Sequence, residues 1–216
     1  MSPVGTKVVY WVTKRPELTD EQFVAYWTTT HAKLARAIPR VRAYSINLPS
    51  PLQRSRRPID GYAMLRFDSY EDAGAAWATE EGRATAADGE HFMAAARHQI
   101  VEPTTIFSVG TDGGVKICYL LDKRADLDTA AFATALVEHA TLMERLPGIH
   151  KYCVNLPSAA QRSAPMLDGY AVARFGTYEE AAQAWRSPAG GEASTASRSF
   201  LQDVRHFIAE ERRIVG

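Results

Sequence analysis

Hydrophobic and polar positions follow a pattern that predicts the same series of elements twice. Residues 7–13 form a β-branched and aromatic run typical of a strand, and Thr19 or Asp20 can cap a helix that reaches about residue 37. Residues 41–48 and 62–67 indicate two further strands. A helical region from about residue 69, interrupted near residues 81–82 and 88–89, precedes a last strand near residues 100–107. The order β-α-β-β-α-β is that of a ferredoxin-like unit.

An internal repeat shows that this unit is duplicated. The segment Asn47–Glu71 aligns without gaps to Asn155–Glu179, with 15 of 25 positions identical. We therefore predict a first half at residues 1–107, a glycine-rich linker at 108–114 and a second half at 115–216. The expected fold class is α+β: two tandem ferredoxin-like repeats whose four-stranded antiparallel sheets pack into one α/β barrel within the chain. A ligand cavity is expected between the two sheets. Such a chain needs no partner to fold, so a monomer or a homodimer is expected.

Composition narrows the range of partners. The 216 residues include 25 basic and 25 acidic side chains, and this balance argues against nucleic acid as a partner. No apolar run is long enough for a membrane span, and the first residues lack the pattern of a secretory signal. The two cysteines, Cys118 and Cys153, cannot form a metal cluster or a disulfide framework. We expect a cytoplasmic protein that acts on a small molecule, without a metal or other cofactor.

Two histidines lie where apolar residues are expected. At 100° per residue, His31 falls inside the apolar arc of the first helix, and His139 falls in the middle of the apolar face of the corresponding second helix. One interpretation is a buried histidine that ties the helix to a loop. The other is a general acid or base at a cavity, because histidine titrates near neutral pH.

Other polar residues offer further candidates. Asn47 and Asn155 end the second strand of each half, where an amide can orient a substrate carbonyl or cap a turn. Arg66 and Arg174 interrupt the third strands and can attract a carboxylate or phenolate, or pair with an acidic side chain. Four tyrosines in the first and third strands can line a cavity, donate protons or simply pack: Tyr10, Tyr62, Tyr119 and Tyr170.

The two halves differ at one informative position. Asp88 occurs in the first half, and its counterpart in the second half is Ala196. Because divergence in a duplicated barrel often leaves one site working, the first half is the better candidate for an active site.

These features resemble the EthD family of dimeric α/β-barrel proteins. The resemblance is carried by the segments KRPELTDEQFVAYWTTTH, IPRVRAYSINLP, DGYAMLRFDSYEDAGAAW and Asp88–Phe92, and again by LPGIHKYCVNLP and LDGYAVARFGTYEEAAQAW in the second half. It implies a ferredoxin-like barrel and a role in small-molecule metabolism. Members of the family include a methylmuconolactone isomerase, dehydratases and cyclases of aromatic polyketide pathways, and proteins of ether degradation, and their chemistry typically needs no cofactor.

The leading hypothesis is a cofactor-independent lyase, isomerase or cyclase that acts on an apolar, oxygenated molecule such as a polyketide or an aromatic or lactone intermediate. His31 would transfer the proton, Asn47 and Tyr10 would polarise a carbonyl, and Asp88 would orient the histidine. His139 is the second candidate for catalysis. The candidate substrate-binding residues are Trp27, Tyr62, Arg66, Tyr119, Asn155, Tyr170 and Arg174. The alternatives are a non-catalytic binding or accessory protein, a haem-binding barrel held through a histidine, and an assembly module.

Overall fold

The computed structural model describes residues 5–53, 57–109, 113–159 and 166–216. The first repeat comprises β1 (Thr6–Lys14), α1 (Asp20–Tyr26), a π-helical turn (Trp27–His31), α2 (Ala32–Ala37), β2 (Ala43–Pro49), β3 (Gly61–Phe67), α3 (Tyr70–Trp77), α4 (Glu80–Asp88), a short 3-10 turn (Gly89–His91) and β4 (Met93–Ser108). The second repeat comprises β5 (Val115–Lys123), α5 (Thr129–Met143), β6 (Ile149–Pro157), β7 (Gly169–Phe175), α6 (Tyr178–Arg186), α7 (Pro188–Ser197) and β8 (Leu201–Val215).

The strands confirm the predicted fold class. Their hydrogen-bonded order is β1-β3-β2-β8-β5-β7-β6-β4, and it closes into an antiparallel barrel because β4 also pairs with β1. Within each repeat the first strand pairs with the third and the last, and the second pairs with the third. This is the strand order of a ferredoxin-like unit.

Local sequence explains most of the element boundaries. Thr19 caps α1 in a capping box with Gln22, as one of the two predicted caps. The break in the second helical region falls earlier than predicted, at Ala78, because the Thr79 side chain caps a new helix.

The last strand of the first repeat is longer than the sequence indicated. β4 begins at Met93 rather than near Ile100, and residues 93–101 pair along β1. The stretch from Met93 to Gln99 is rich in alanine and lacks strand alternation. Pairing with β1 overrides this weak local preference.

The described residues form two compact units. The first contains the residues up to Pro49, Ile59–Val101 and Glu211–Gly216, and the second contains Ser50–Pro58 and Glu102–Glu210. The predicted halves and linker stay predictions, and the centre of that linker, residues 110–112, lies outside the described residues. No helix in the described part of the chain is long and apolar enough to cross a membrane.

Each unit has its own core between the helices and one face of its strands. In the first unit this face presents Val8 and Val12 of β1, Tyr44 and Ile46 of β2, and Leu65 of β3. The second unit repeats the arrangement with Ile117, Leu121, Tyr152, Val154 and Ala173. Because side chains alternate along a strand, the residues between these positions point to the opposite face.

Candidate active site in the first repeat

Each unit contains a cavity between its strands and its own helices. The first, cavity 1, has a volume of about 370 Å³, and its lining includes Tyr10, Trp27, His31 and Trp77. The second, cavity 2, has a volume of about 350 Å³, and its lining includes Tyr119 and His139. The sequence placed the ligand cavity between the two sheets. These two cavities lie on the helix side of the strands, and the expected cavity between the sheets stays a prediction.

A π-helical turn brings His31 to cavity 1. Eight positions separate Phe23 from His31, whereas seven separate Phe132 from His139. The extra residue is absorbed by the π-helical turn Trp27–His31, while α5 runs as an unbroken α-helix. A single inserted residue in a helix commonly appears as such a turn, frequently at a functional site. The turn keeps both Phe23 and His31 buried, although the insertion would otherwise rotate one away from the core.

His31 is held by Asp88 on the neighbouring helix. The distance from His31 Nδ1 to Asp88 Oδ2 is 2.8 Å, and the side chains are each 11% exposed. The other carboxylate oxygen, Oδ1, accepts a hydrogen bond from the Tyr26 hydroxyl at 2.8 Å. The imidazole also packs against Phe92, with ring centroids 4.8 Å apart. These contacts fix the ring in one orientation.

The hydrogen bond to Asp88 determines the tautomer of His31. A carboxylate only accepts hydrogen bonds, so Nδ1 carries the proton and Nε2 of the neutral ring carries a lone pair. Among the described residues Nε2 has no hydrogen-bond partner, and His31 lines cavity 1. Burial lowers the pKa of His31, and the hydrogen bond and charge of Asp88 oppose that shift without reversing it. The ring is therefore neutral at pH 7 and presents a base to the cavity.

His139 forms its hydrogen bond through the other ring nitrogen. Its Nε2 donates to the backbone carbonyl of Ala193 at 2.9 Å, and its buried Nδ1 has no partner among the described residues. Burial lowers the pKa of His139 as well. The positions equivalent to Tyr26 and Asp88 are Ala135 and Ala196, so no carboxylate orients this ring. His139 thus has the bonding expected of a buried structural histidine, although it ties its helix to α7 rather than to a loop.

A tyrosine and a tryptophan also differ between the two cavities. In cavity 2 the Trp185 indole donates to the Tyr119 hydroxyl at 2.8 Å, so that pair satisfies itself. In cavity 1 the equivalent rings of Tyr10 and Trp77 meet edge to face at 5.6 Å, and within the described residues Trp77 Nε1 has no acceptor. Burial raises the pKa of Tyr10, so its hydroxyl stays protonated. Among the described residues the Tyr10 hydroxyl has no hydrogen-bond partner either, so it is the donor that cavity 1 offers to a ligand, whereas Trp77 Nε1 is buried.

The predicted asparagines, arginines and third-strand tyrosines do not join His31. Asn47 is fully buried and donates to the backbone carbonyl of Tyr62 at 3.4 Å, and Asn155 makes the same bond to Tyr170. Strand alternation places these residues on the face opposite the helices, because their neighbours in sequence form the helix-side core. The expectation that Asn47 polarises a carbonyl beside His31 is corrected accordingly. The same face holds Tyr62, Arg66, Tyr170 and Arg174, of which Arg66 is exposed and Arg174 buried.

The structure brings together Tyr10, Trp27, His31 and Asp88 of the predicted residues, and adds two that were missed. Tyr26 completes the hydrogen bonds of Asp88, and Trp77 faces Tyr10. Tyr26 differs from its counterpart Ala135, so the comparison of repeats that singled out Asp88 would also have found it. Trp77 is shared with Trp185, so only the structure separates their roles. Within the described residues, no group of three or more histidine, cysteine, aspartate or glutamate side chains is placed to hold a metal ion.

The closed order of the strands defines an α/β-barrel protein. Residues 15–96, which contain both His31 and Asp88, match the family model of the EthD domain. The first repeat is therefore similar to an EthD domain. No curated protein sequence matches the chain.

Solved structures show the same fold over nearly the whole chain. The chain is similar to an anthrone oxidase-like protein, with a TM-score of 0.68 and 14% identity over 99% of this chain and 94% of that one. It is also similar to a candidate monooxygenase from Fusobacterium nucleatum, with a TM-score of 0.66 and 8% identity over 99% and 95% of the two chains. A mutant chlorite dismutase from Candidatus Nitrospira defluvii gives a TM-score of 0.53 and 13% identity over 97% and 93%. At these identities the likeness establishes the fold.

Proposed function

We propose that the protein is an acid–base enzyme that uses its own side chains to move a proton on an apolar, oxygenated small molecule in cavity 1. The observation that carries this proposal is the His31–Asp88 pair: His31 lines cavity 1, and its Nε2 has no hydrogen-bond partner among the described residues. A neutral imidazole whose far nitrogen is held by a carboxylate is a general base, and the carboxylate stabilises the imidazolium that forms.

The other groups of cavity 1 fit a substrate with a carbonyl oxygen. A base that removes a proton beside a carbonyl leaves an enolate, whose oxygen needs hydrogen-bond donors. Tyr10 lines cavity 1 and is such a donor, because its hydroxyl stays protonated and has no hydrogen-bond partner among the described residues. The remaining wall is mostly apolar, with Val12, Trp27 and Leu65 among its residues. Cofactor-independent lyase, isomerase and cyclase reactions that pass through an enolate begin with such a proton transfer, and we propose a reaction of one of these three classes.

Proton exchange on a model ketone tests the proposal without the natural substrate. The probe is 2-tetralone, an apolar bicyclic ketone, and the measurement is the loss of its C1 protons in D₂O followed by proton NMR. We expect wild-type protein to accelerate the exchange, and His31→Gln to reduce the acceleration by about 10²- to 10⁴-fold, the usual range for a general base.

The matched control is His139→Gln, which removes the same ring from the second repeat. It should retain the wild-type exchange rate. A folded His31→Gln protein with full exchange activity, or a wild-type protein that does not accelerate exchange at all, would contradict the proposal.

Cavity 2 supports a second candidate function, ligand binding without turnover. Its tyrosine and tryptophan bond to each other, and its histidine is bonded to the backbone. Its lining still encloses about 350 Å³. Methionine-methyl NMR separates the two sites, because Met93 lines cavity 1 and Met143 lines cavity 2. A ligand that shifts the Met143 methyl and undergoes no exchange in the His31→Gln protein would support binding alone at cavity 2.

A further inference from the structure

One arginine lies on the wall of cavity 1. Arg83, on α4, lines the cavity and is exposed, so it lies where the cavity meets solvent. The other lining residues are neutral, since His31 is the only other titratable group among them that ionises near pH 7 and its pKa is lowered by burial. The guanidinium is therefore the single formal charge among the described residues that line cavity 1.

The Arg83 side chain is anchored but its charge is not compensated. One of its terminal N–H groups donates to the carbonyl of Ala78, at the break between α3 and α4. No carboxylate of the described residues forms an ion pair with it, in contrast to Arg40, Arg42 and Arg124. A guanidinium has five N–H donors, so several remain available to a ligand.

The second repeat lacks this charge. The position equivalent to Arg83 is Gly191 on α7, and the lining of cavity 2 contains no arginine or lysine. Arg83 thus occurs in the same repeat as Asp88, Tyr26 and the π-helical turn, and all four are missing from the repeat whose histidine is bonded to the backbone.

We propose that Arg83 recognises a carboxylate on the substrate, so that the enzyme acts on an apolar carboxylic acid rather than on a neutral molecule. Guanidinium and carboxylate form paired charge-assisted hydrogen bonds. The carboxylate would stay at the exposed end of the cavity, and the apolar body would extend past Trp77 towards His31. This inference rests on the proposed function of cavity 1, and it specifies the substrate class of that site.

Two probes of nearly equal shape test the inference: 2-naphthoate, which carries a carboxylate, and 2-acetylnaphthalene, in which a methyl ketone replaces it. Binding to cavity 1 is followed by the NMR shift of the Met93 methyl in protein with labelled methionine. We expect Arg83→Gln to weaken the binding of 2-naphthoate by about five- to tenfold at low salt. This is the range for loss of a charge-assisted hydrogen bond at a partly exposed site. Binding of 2-acetylnaphthalene should not change, and Arg83→Lys should restore part of the loss.

The control is Arg36→Gln, which removes an exposed arginine of the same unit that does not line the cavity. It should leave both probes unaffected. Equal weakening of both probes by Arg83→Gln, or equal weakening of 2-naphthoate by Arg36→Gln, would overturn the inference.

The binding assay is independent of proton exchange, so the two proposals can fail separately. If the Met93 methyl responds to both probes with no preference that depends on Arg83, the carboxylate inference is wrong and the acid–base proposal stands. If the preference is present but 2-tetralone exchange is not accelerated, the acid–base proposal is wrong. If neither probe shifts the Met93 methyl, the carboxylate inference is overturned, and 2-tetralone exchange alone decides the acid–base proposal.

Discussion

Replacing Asp88 with asparagine should make His31 a weaker general base without removing it. The carboxylate holds His31 Nδ1 at 2.8 Å in a site where both side chains are 11% exposed, so solvent screens the interaction little. A hydrogen bond to a charged group contributes about 1.5 to 3 kcal/mol and a neutral one about 1 kcal/mol. The difference, about 0.5 to 2 kcal/mol, corresponds to about a 2- to 30-fold loss in rate if the imidazolium is nearly complete in the transition state.

The assay is 2-tetralone exchange in Asp88→Asn protein, measured as a function of pH. Exchange requires the neutral ring, so the rate rises with pH through the pKa of His31. The charge of Asp88 raises that pKa, against the larger effect of burial. Its removal should therefore move the midpoint of the profile to lower pH while the plateau rate falls.

Glu192→Gln is the matched control, because it also removes a carboxylate, one that pairs with Arg145 on an exposed surface of the second unit. It should leave both the plateau and the midpoint unchanged. An Asp88→Asn protein with the wild-type plateau, or with a midpoint shifted to higher pH, would refute the assigned role of Asp88.

Three further predictions concern the π-helical turn, the two buried histidines and Phe92. Deletion of the exposed Thr29 should convert the π-helical turn into a continuous helix like α5 and so displace the general base. The rate of 2-tetralone exchange should then fall at least about tenfold, while circular dichroism shows that the protein still folds. An unchanged exchange rate would contradict the role of the turn in positioning His31. Because burial lowers the pKa of His31 and His139, the unfolded chain binds more protons below about pH 6.5, so the free energy of unfolding should fall as the solution is acidified. In urea titrations the free energy of unfolding of His139→Gln should depend less on pH than that of the wild-type protein. An unchanged dependence on pH would contradict a lowered pKa of His139. Phe92→Ala should lower the free energy of unfolding by about 3 to 5 kcal/mol because Phe92 is fully buried, and a loss below about 1 kcal/mol would show that the site collapses.

The repeat made the fold predictable from sequence. Two similar halves with the same order of elements left few topologies, and strand composition located β1, β2 and β3 to within a few residues. β4 was placed too late because Met93–Gln99 has no strand pattern of its own. Its conformation depends on pairing with β1, which is a tertiary interaction.

The candidate site was predictable only in part. His31 and Asp88 were identified, one from its place on an apolar helix face and the other from its absence in the second half. The helical wheel could not show that the extra residue before His31 forms a π-helical turn, because a wheel assumes constant geometry. It therefore treated His31 and His139 as equivalent, although their rings are bonded through opposite nitrogens.

The sequence also could not show which face of the sheet each strand residue occupies. Asn47 and Tyr10 lie on strands of the same sheet, but they belong to opposite faces. Alternation along one strand gives relative orientation only, and the choice of face depends on how the helices pack. Asn47 was grouped with His31 for that reason.

The tautomers of the two histidines decide whether His31 is oriented as a general base and His139 is bonded to the backbone. Long-range proton–nitrogen NMR of the imidazole rings reports which nitrogen carries the proton in each ring, with His31→Gln and His139→Gln used for assignment. We expect a protonated Nδ1 and an unprotonated Nε2 for His31, and a protonated Nε2 with an unprotonated Nδ1 for His139. The same tautomer in both rings, or a protonated Nε2 in neutral His31, would contradict this expectation.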